Sequence, residues 1–475
     1  MTFASINVEE VIQSAEKIIG SRELSTETTA VLRLMMTLIQ VLIQKLQTNS
    51  SNSSKPPSAD GPKRSRRITP GKKKKKSDKT VGGQEGHEGT TLEKVENPDE
   101  IIDLTIDRRT LPKGESFRSE EPESRQVFDV VLQCMVREYR AEVLVDSKGN
   151  RYVATFPESV TKAAQYGASV KSLAVYLSQY QLIPYNRVQE MFEDHFGLSI
   201  SQGSLHNFNK EAFERLEFFE AAAMETLKKA QVLNADETGI QIGETNHWLH
   251  VLCTPKTTYF FAHEKRGSHA IDDMGILKDF SGVLIHDHWK PYFGYTDKHG
   301  LCNAHHLREL QWVIDFKEQK WAGSMKRFLI STNKLVITAG GILSVEEQKT
   351  RRDRYRQIIA EGKRECPMTV PTLGTGLKRV AQTKERNLLD RLDKHEDSVL
   401  RFMSEKNVPF TNNQAEQDIR MVKVQQKVSG CFRSMNGARY FCRIRGYLVT
   451  NNKRGTSPHA ALNEIFGVNS TKLAE

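Results

Sequence analysis

The stretch GVLIHDHWKPYF, residues 282–293, contains the feature that best predicts the fold of this chain. Val283, Leu284 and Ile285 have the apolar side chains of a buried strand, and the run then reaches Asp287, which has a histidine on each side. Because an unpaired carboxylate is costly to remove from water, a buried strand seldom points one at a core. Asp287 is therefore either a loop residue in water or an acid held at the end of a sheet for chemistry.

The segments around this stretch predict a sheet. Three successive strands are predicted upstream, by AQVLNADETGIQI (230–242), HWLHVLCTPK (247–256) and TTYFFAHEKR (257–266). SHAIDDMGILKDF (268–280) predicts a helix, GVLIHDHW a fourth strand, and GLCNAHH (300–306) a fifth. Three antiparallel strands, a helix and further strands follow the order of an RNase H-like fold, although periodicity alone does not establish that fold.

Two of these strands run into acidic residues. The first runs into Asp236 and Glu237, and neighbouring strand residues point to opposite faces, so only one of them can enter a given site. Asp287 ends another strand in the same way. Two acids at adjacent strand positions could share a divalent metal ion, since Mg²⁺ prefers oxygen ligands. Such a site needs a third acid.

The candidate for the third acid lies in PFTNNQAEQDIRMVKVQQK. Thr411 and Gln414 have the spacing of a capping box, which predicts a helix that starts near Asn412. Glu416 then lies in the second turn, with Arg420 one turn later on the same face. Spacing alone favours an exposed glutamate paired with Arg420, so the case for a metal site depends on the whole set of acids.

The net charge of +10 is concentrated in two segments. Residues 55–79 contain 11 Lys/Arg and 2 Asp/Glu, and residues 417–454 contain 9 Lys/Arg and 1 acid. Nucleic acid is the simplest polyanion for them, although the lysine run at 72–76 is equally well explained as a solvated tail. Six basic residues near the acids are candidate DNA phosphate contacts, with plain solvent exposure as the alternative for each: Lys290, Arg308, Arg420, Lys423, Arg433 and Arg439.

Cysteine usage and hydropathy limit the class of protein. The six cysteines are scattered and no pair is spaced CxxC, so neither a disulfide framework nor a four-cysteine zinc site is predicted. Cys302 and His305 form a CxxH pair that could supply half of a zinc site, but no second pair is found, so a packed cysteine and a histidine beside the site are favoured. The apolar runs are shorter than a membrane span and no signal peptide is present, which predicts a cytoplasmic location.

The first half of the chain divides into four segments. Residues 1–48 predict a helix, residues 49–92 a disordered basic linker, residues 93–160 a small β-rich module, and residues 161–229 a helical region. The first helix has a coiled-coil seam, for which packing on its own domain is the alternative. The seam consists of Leu32, Met35, Ile39, Leu42 and Leu46.

The helical region contains a helix-turn-helix pattern. In RVQEMFEDHFGLSISQGSLHNFNKEAFERL, a helix precedes a turn at Gly197, and Ser201 is the predicted N-cap of a second helix. Reading DNA and simple structural packing are equally supported by this pattern.

Four ordered motifs, ADETG, HDHWKPY, CNAHHLREL and TNNQAEQDIR, resemble the insertion-sequence family 66 transposases of bacteria. The segments SSKPPSAD and GGQEGHEG resemble the N-terminal part of that family, so the resemblance covers most of the chain. It implies a mixed α/β fold with an RNase H-like catalytic domain over residues 230–458, a helical insertion at 306–405 and a C-terminal tail at 459–475. Many members carry a cysteine-rich zinc module upstream; only Cys134 lies there, so no zinc finger is predicted.

By the same resemblance the catalytic, metal-binding acids are Asp236, Asp287 and Glu416. They would hold two Mg²⁺ or Mn²⁺ ions for in-line displacement at phosphorus. The resemblance predicts a DDE transposase in the bacterial cytoplasm, associated with the nucleoid and with no membrane partner. It would act as a homo-oligomer on element ends and target DNA, with accessory transposition proteins in some members. The alternatives are a nuclease or integrase of the same fold, an inactive DNA-binding descendant, and a purely structural role for the acids.

Overall fold

A mixed α/β fold is observed in the computed structural model of the chain. The structure describes residues 2–3, 6–20, 25–53, 92–118, 120–130, 132–369 and 381–468.

The described residues contain nine strands. They are β1 (Thr2–Phe3), β2 (Ile6–Asn7), β3 (Val143–Val145), β4 (Arg151–Val153), β5 (Val232–Ile242), β6 (Thr245–Cys253), β7 (Thr258–His263), β8 (Val283–His286) and β9 (His299–Leu301). Strands β5 to β9 form one mixed sheet in the order β7-β6-β5-β8-β9. β5, β6 and β7 are antiparallel neighbours, whereas β8 and β9 run parallel to β5. The first four predicted strands are therefore confirmed. The fifth, predicted at 300–306, is only His299–Leu301, because α8 begins at Asn303.

Helices make up most of the remaining regular structure. They are α1 (Val8–Gly20), α2 (Thr26–Gln47), α3 (Ala168–Val175), α4 (Tyr185–Phe196), α5 (Gln202–Arg215), α6 (Glu217–Lys228), α7 (Ser268–Met274), α8 (Asn303–Lys317), α9 (Lys320–Thr338), α10 (Val345–Glu365), α11 (Lys384–Lys394), α12 (Glu396–Ser404), α13 (Asn413–Ser429), α14 (Met435–Lys453) and α15 (Pro458–Phe466). A π-helical turn, Tyr176–Tyr180, continues α3, and a 3₁₀ helix, Lys290–Gly294, follows β8.

Helices α8 to α12 form the helical insertion and pack against the β8–β9 side of the sheet. Val283, Ile285 and Leu301 from the sheet share one apolar core with residues of the insertion, among them Trp321 and Leu389. The predicted insertion at 306–405 is thus close to the observed helices. The packing holds the carboxyl ends of β8 and β9 in place.

The helical region at 161–229 shares a core with the end of the chain. Val188 of α4 and Leu205 of α5 belong to the same cluster as Leu448 of α14 and Leu462 of α15. Most of the described part of the predicted C-terminal tail, 459–468, is thus the packed helix α15.

Two helices separated by a turn are observed where the helix-turn-helix pattern was predicted. α4 ends at Gly197, whose φ of 59° is left-handed, and the Ser201 hydroxyl accepts a hydrogen bond from the Ser204 N–H at the start of α5. A role in reading DNA stays a prediction.

The N-terminal segment contains two helices and two short strands instead of the single predicted helix. The seam side chains Met35, Ile39, Leu42 and Leu46 on α2 are 48% to 71% exposed. Within α2, Thr26–Ile43 is long and apolar enough to cross a membrane, contrary to the sequence expectation, although one such helix is weak support for a span. Residues 54–91, most of the predicted linker, lie outside the described residues.

The β-rich module predicted at 93–160 is reduced to one hairpin in the described residues, formed by β3 and β4. Upstream, Val127, Val130 and Val136 are 85% to 89% exposed and lie outside any strand. The strand-like runs there are not enough, because a strand also needs a pairing partner and an apolar surface to cover.

Candidate active site

Parallel pairing of β5 with β8 brings Asp236 and Asp287 together. Asn234 lies opposite Ile285 in the register, and each acid follows two residues later on its own chain segment. Burial raises the pKa of Asp236 well above its usual value, and the negative charges of Glu237 and Asp287 raise it further. The sheet therefore holds the carboxylates of Asp236 and Asp287 close to each other at one end.

Glu416 reaches the same place from the first turn of α13. Its charge also contributes to the raised pKa of Asp236, which indicates that the third predicted acid lies near the other two. Among the described residues no ion pair joins Glu416 to Arg420, so the pairing favoured by spacing alone is absent. The structure thus brings the three predicted acids together, and their catalytic role stays a prediction.

The start of α13 differs from the prediction. The N-cap is Asn412 and it makes no side-chain cap, so the capping box of Thr411 and Gln414 does not form. The Asn412 side chain donates instead to the Ala235 carbonyl at 2.8 Å and accepts from Asn234 Nδ2 at 2.8 Å. Asn412 is fully buried, and it fastens the helix of Glu416 to the strand of Asp236.

Neither asparagine of this contact was predicted from the sequence to make it. A signal was available for Asn234, which interrupts an otherwise apolar run immediately before Asp236. A buried amide needs hydrogen-bond partners, so such an interruption predicts a specific polar contact inside the fold. The partner, however, lies 178 residues away in the chain.

The charge of Glu237, the neighbour of Asp236, is compensated by a hydrogen bond and an ion pair. Its side chain is 1% exposed, accepts a hydrogen bond from Tyr292 Oη at 2.7 Å and pairs with Arg266 at 2.7 Å. The Arg266 guanidinium also lies over the rings of Trp248 and Trp289, at 4.7 and 4.5 Å from their centroids. Asp236 and Asp287 have no ion pair with Lys or Arg in the described part of the chain, which distinguishes Asp236 from Glu237.

The two histidines beside Asp287 pack as neutral rings. His286 Nε2 lies 3.2 Å from His299 Nδ1, and both His286 and His288 contact the Phe293 ring. Burial lowers the pKa of His288 to about 3, with a further contribution from the Arg391 charge. These rings therefore surround Asp287 without adding positive charge to the site.

Cys302 and His305 lie next to Glu416. Cys302 is the N-cap of α8, directly after β9, and its Sγ atom lies 3.8 Å from Glu416 Oε1. His305 Nδ1 lies 4.0 Å from the same oxygen. The three ligand atoms are within 4.8 Å of one another, an arrangement that could hold a metal ion. The sequence pointed to Cys302 and His305 as a pair beside the site but favoured simple packing over zinc, and it did not connect the pair with Glu416.

The six predicted DNA contacts differ in their surroundings. Lys290, Arg420, Arg433 and Arg439 are exposed, whereas Arg308 is half-buried with an unpartnered Nε atom. Lys423 is also exposed, but its ammonium group donates to the Gly239 carbonyl of β5, and partial burial lowers its pKa.

The donor set of the three acids fits a hard divalent cation. Converging carboxylates repel one another, and neither Asp236 nor Asp287 is paired with Lys or Arg in the described ranges. A Mg²⁺ or Mn²⁺ ion would remove this repulsion and take oxygen ligands, which such ions prefer.

Two sequence families match the chain. The family described as Transposase IS66 family matches residues 163–440, which is more than half of the chain. A second, described as a family of unknown function (DUF6444), matches residues 7–93. No curated protein matches the chain.

Proposed function

The chain belongs to the IS66 family of transposases, and from this premise we propose that it is a metal-dependent DDE transposase. It would bind the ends of an insertion sequence, cut the DNA strands there and join them to a target. The observation that carries the proposal is the convergence of Asp236, Asp287 and Glu416, with no Lys or Arg paired to the two aspartates among the described residues.

We infer an RNase H-like catalytic core from the sheet. Its order, β7-β6-β5-β8-β9, has three antiparallel strands followed by two strands parallel to the first of them. The helix α7 lies between β7 and β8 in the chain, as that fold requires. This arrangement supports placing two acids on adjacent parallel segments, β5 and β8, and the third on a later helix.

In the proposed reaction each residue of the site has a separate role. Asp236, Asp287 and Glu416 would hold the divalent ions, which when bound activate the attacking oxygen and stabilise the leaving one. Asn412 would keep the helix of Glu416 in register with β5. Water attacks the phosphodiester first and the freed 3′-hydroxyl attacks target DNA next, so no bond between protein and DNA is required.

DNA would approach over the exposed basic residues. Lys290 follows Asp287 by three positions and Arg420 follows Glu416 by four, so both emerge from the segments that supply the acids. Arg433 and Arg439 extend the basic surface into α14. Binding through phosphates predicts a steep loss of affinity with salt.

The test is strand cleavage and joining on labelled element-end DNA in Mg²⁺ or Ca²⁺. We expect Asp236→Asn, Asp287→Asn and Glu416→Gln each to lower cleavage by roughly a hundredfold or more, since losing only an outer partner of a metal ligand already costs roughly 10–100-fold. Glu244→Gln removes a charge from the exposed β5–β6 turn and is the matched control. Acid variants that cleave at the wild-type rate would contradict the proposal.

The DNA products of this assay distinguish a transposase from a nuclease and from an inactive DNA-binding descendant. Cleavage without joining would identify a nuclease, and DNA binding that is indifferent to Mg²⁺ with no cleavage would identify an inactive descendant. In the proposal the active form is a homo-oligomer in the bacterial cytoplasm, because two element ends must be brought together.

A further inference from the structure

A thiol, an imidazole and a carboxylate meet beside the acid site. Cys302 and His305 belong to the start of α8, and Glu416 to the start of α13. The sulfur lies 3.8 Å and the His305 Nδ1 atom 4.0 Å from Glu416 Oε1. Tetrahedral zinc, with bonds of about 2.0–2.3 Å, places its ligand atoms roughly 3.3–3.8 Å apart. The three ligand atoms lie within 4.8 Å of one another, so side-chain shifts of at most about one ångström would complete the geometry.

The chemistry of these donors differs from that of the three acids. Sulfur and imidazole nitrogen favour Zn²⁺ and similar ions, whereas Mg²⁺ favours oxygen ligands and binds thiolates poorly. Three protein ligands also leave a fourth position for water, as in zinc sites that are not purely structural.

Cys302 and His305 both have ligand atoms placed to bind such an ion. His305 Nδ1 is buried and makes no hydrogen bond in the described structure. The Cys302 sulfur accepts the Asn412 N–H at 3.2 Å, and Cys302 is the N-cap residue of a fifteen-residue helix, although its side chain makes no cap hydrogen bond there. Binding would form a metal–sulfur bond and release the thiol proton to solvent.

We propose that Cys302, His305 and Glu416 form a thiophilic metal site for Zn²⁺, separate in its chemistry from the acid triad. Because Glu416 belongs to both groups, Zn²⁺ would withdraw its carboxylate from the triad and inhibit strand cleavage. The inhibition of cleavage rests on the proposed function, whereas the metal site itself does not. The site would make the enzyme sensitive to the ratio of Zn²⁺ to Mg²⁺.

The binding test uses Co²⁺ as a spectroscopic substitute for Zn²⁺ on the full chain. We expect a sulfur-to-cobalt charge-transfer band that Zn²⁺ abolishes by displacement. Cys302→Ser should remove the band, and His305→Gln should weaken Co²⁺ binding by roughly tenfold or more. Two controls should keep it: Cys431→Ser, which removes an exposed thiol, and Asp236→Asn, which removes only a triad acid.

Several outcomes overturn the site. They are a wild-type protein without the band, a band that survives in Cys302→Ser, and a band that is lost in Cys431→Ser. Circular dichroism verifies that each variant is folded. If Cys302→Ser does not fold, the test uses His305→Gln instead. A His305→Gln protein that binds Co²⁺ with wild-type affinity contradicts the site.

The inhibition test titrates Zn²⁺ against fixed Mg²⁺ in the cleavage assay, with each protein compared to its own rate without Zn²⁺. Half-inhibition of Cys302→Ser should need at least roughly tenfold more Zn²⁺ than the wild type. Equal sensitivity, or a Cys302→Ser protein without activity, overturns the inhibition mechanism. If the wild type itself does not cleave, the proposed function fails while the cobalt result still decides the metal site.

Discussion

At the scale of single residues, the environment of Asp236 differs sharply from that of its neighbour Glu237. Both carboxylates are buried and both have a raised pKa, first because of burial and then because of nearby acids. Glu237 is compensated by Arg266 and Tyr292, which also act to lower its pKa. Asp236 is not compensated by any basic side chain in the described residues, so it destabilises the protein when no cation is bound.

This difference predicts that Asp236→Asn stabilises the metal-free protein. A folded-state pKa above the unfolded one means that ionisation favours unfolding. The penalty is absent below about pH 4, where the carboxyl is protonated in both states, and it grows as the pH rises through the folded pKa. We expect the variant to melt a few degrees higher at pH 8 and to lose this advantage near pH 4. Thermal melts in EDTA across this pH range measure the effect.

Glu244→Gln is the control for the loss of one negative charge, and it should leave the melting temperature nearly unchanged. Adding Mg²⁺ should raise the melting temperature of the wild type more than that of Asp236→Asn. A variant that melts below the wild type at pH 8 in EDTA would contradict the like-charge cluster.

The candidate acids were predictable at this scale, and their partners were not. Strand runs that end in acids are local patterns, which is why Asp236 and Asp287 were found. Glu416 needed the family resemblance, because its spacing to Arg420 favoured a surface pair. Arg266 and Asn412 act across long chain separations, and no local pattern selects them.

At the scale of elements, Asn412 decides where α13 sits on the sheet. It joins β5 through its side chain and Cys302 through its backbone N–H. Two groups, the Ala235 carbonyl and Asn234 Nδ2, would lose a partner if the amide were removed, and unsatisfied buried groups cost about 1–3 kcal/mol. The helix carries Glu416 in its first turn, so a small shift there moves a predicted metal ligand.

We therefore expect Asn412→Ala to lower stability by about 2 kcal/mol and to reduce cleavage severalfold through weaker Mg²⁺ binding. The adjacent Asn413 is exposed at the first position of the same helix, and Asn413→Ala is the matched control. Raising the Mg²⁺ concentration should restore much of the Asn412→Ala rate, which a global folding defect would not allow. Equal behaviour of the two variants would show that the contact does not position Glu416.

The helical insertion offers a second comparison, between two helix-interior glycines. Ala in place of Gly normally stabilises a helix by about 0.5–1 kcal/mol. A Cβ atom at Gly362 of α10 would lie 2.7 Å from Leu389 Cδ1 and 3.1 Å from the Trp321 ring, both fully buried. At Gly323 of α9 the nearest atom is the end of the Arg327 side chain, at 3.5 Å.

Gly362→Ala should consequently destabilise the protein by about 1–3 kcal/mol, because overpacking in a rigid core exceeds the gain in helix propensity. Gly323→Ala should stabilise it by about 0.5–1 kcal/mol. Urea unfolding of the two variants measures the difference. Two effects of the same sign would show that the α10–α11 contact is looser than described.

At the scale of the whole molecule, the central sheet and the insertion could be predicted, whereas two segments could not. Apolar strand patterns predicted the central strands, since burial on the sheet supports each of them. The strand-like runs at 93–160 stay largely outside any sheet among the described residues, where their apolar side chains are exposed. The α15 helix had local signals that were overlooked: Ser457 is its N-cap, Pro458 its first residue and Gly467 its left-handed end.

The shared core of α4, α5, α14 and α15 also changes the division of the chain. The helix-turn-helix region packs on helices that follow the acid-bearing α13 in sequence. A boundary at residue 229 therefore cuts through one apolar core. Any DNA contact made by α5 would be rigidly linked to the sheet side of the molecule through α14, which packs on both α5 and β7.

The exposed seam on α2 gives the last prediction, which concerns assembly. A helix with five apolar residues at alternating three- and four-residue spacing would be poorly stable alone in water, and pairing with a second copy covers the stripe. We expect the full chain to form at least a dimer by light scattering, and Ile39→Glu with Leu42→Glu to shift it towards monomer. Thr37→Glu with Gln40→Glu adds the same charge on the opposite face of α2 and is the matched control.

Assembly and membrane binding predict different results for these variants, since Thr26–Ile43 passes the length and composition test for a span. Self-association through the seam predicts a soluble oligomer that ignores lipid vesicles and is lost only in the seam variant. A membrane role predicts that the wild type sediments with vesicles and that both pairs of glutamates weaken this binding, because charge on either face of a spanning helix is costly. A wild type that is monomeric by light scattering and does not sediment with vesicles would contradict both roles. Ile39 and Leu42 would then take no part in bringing element ends together.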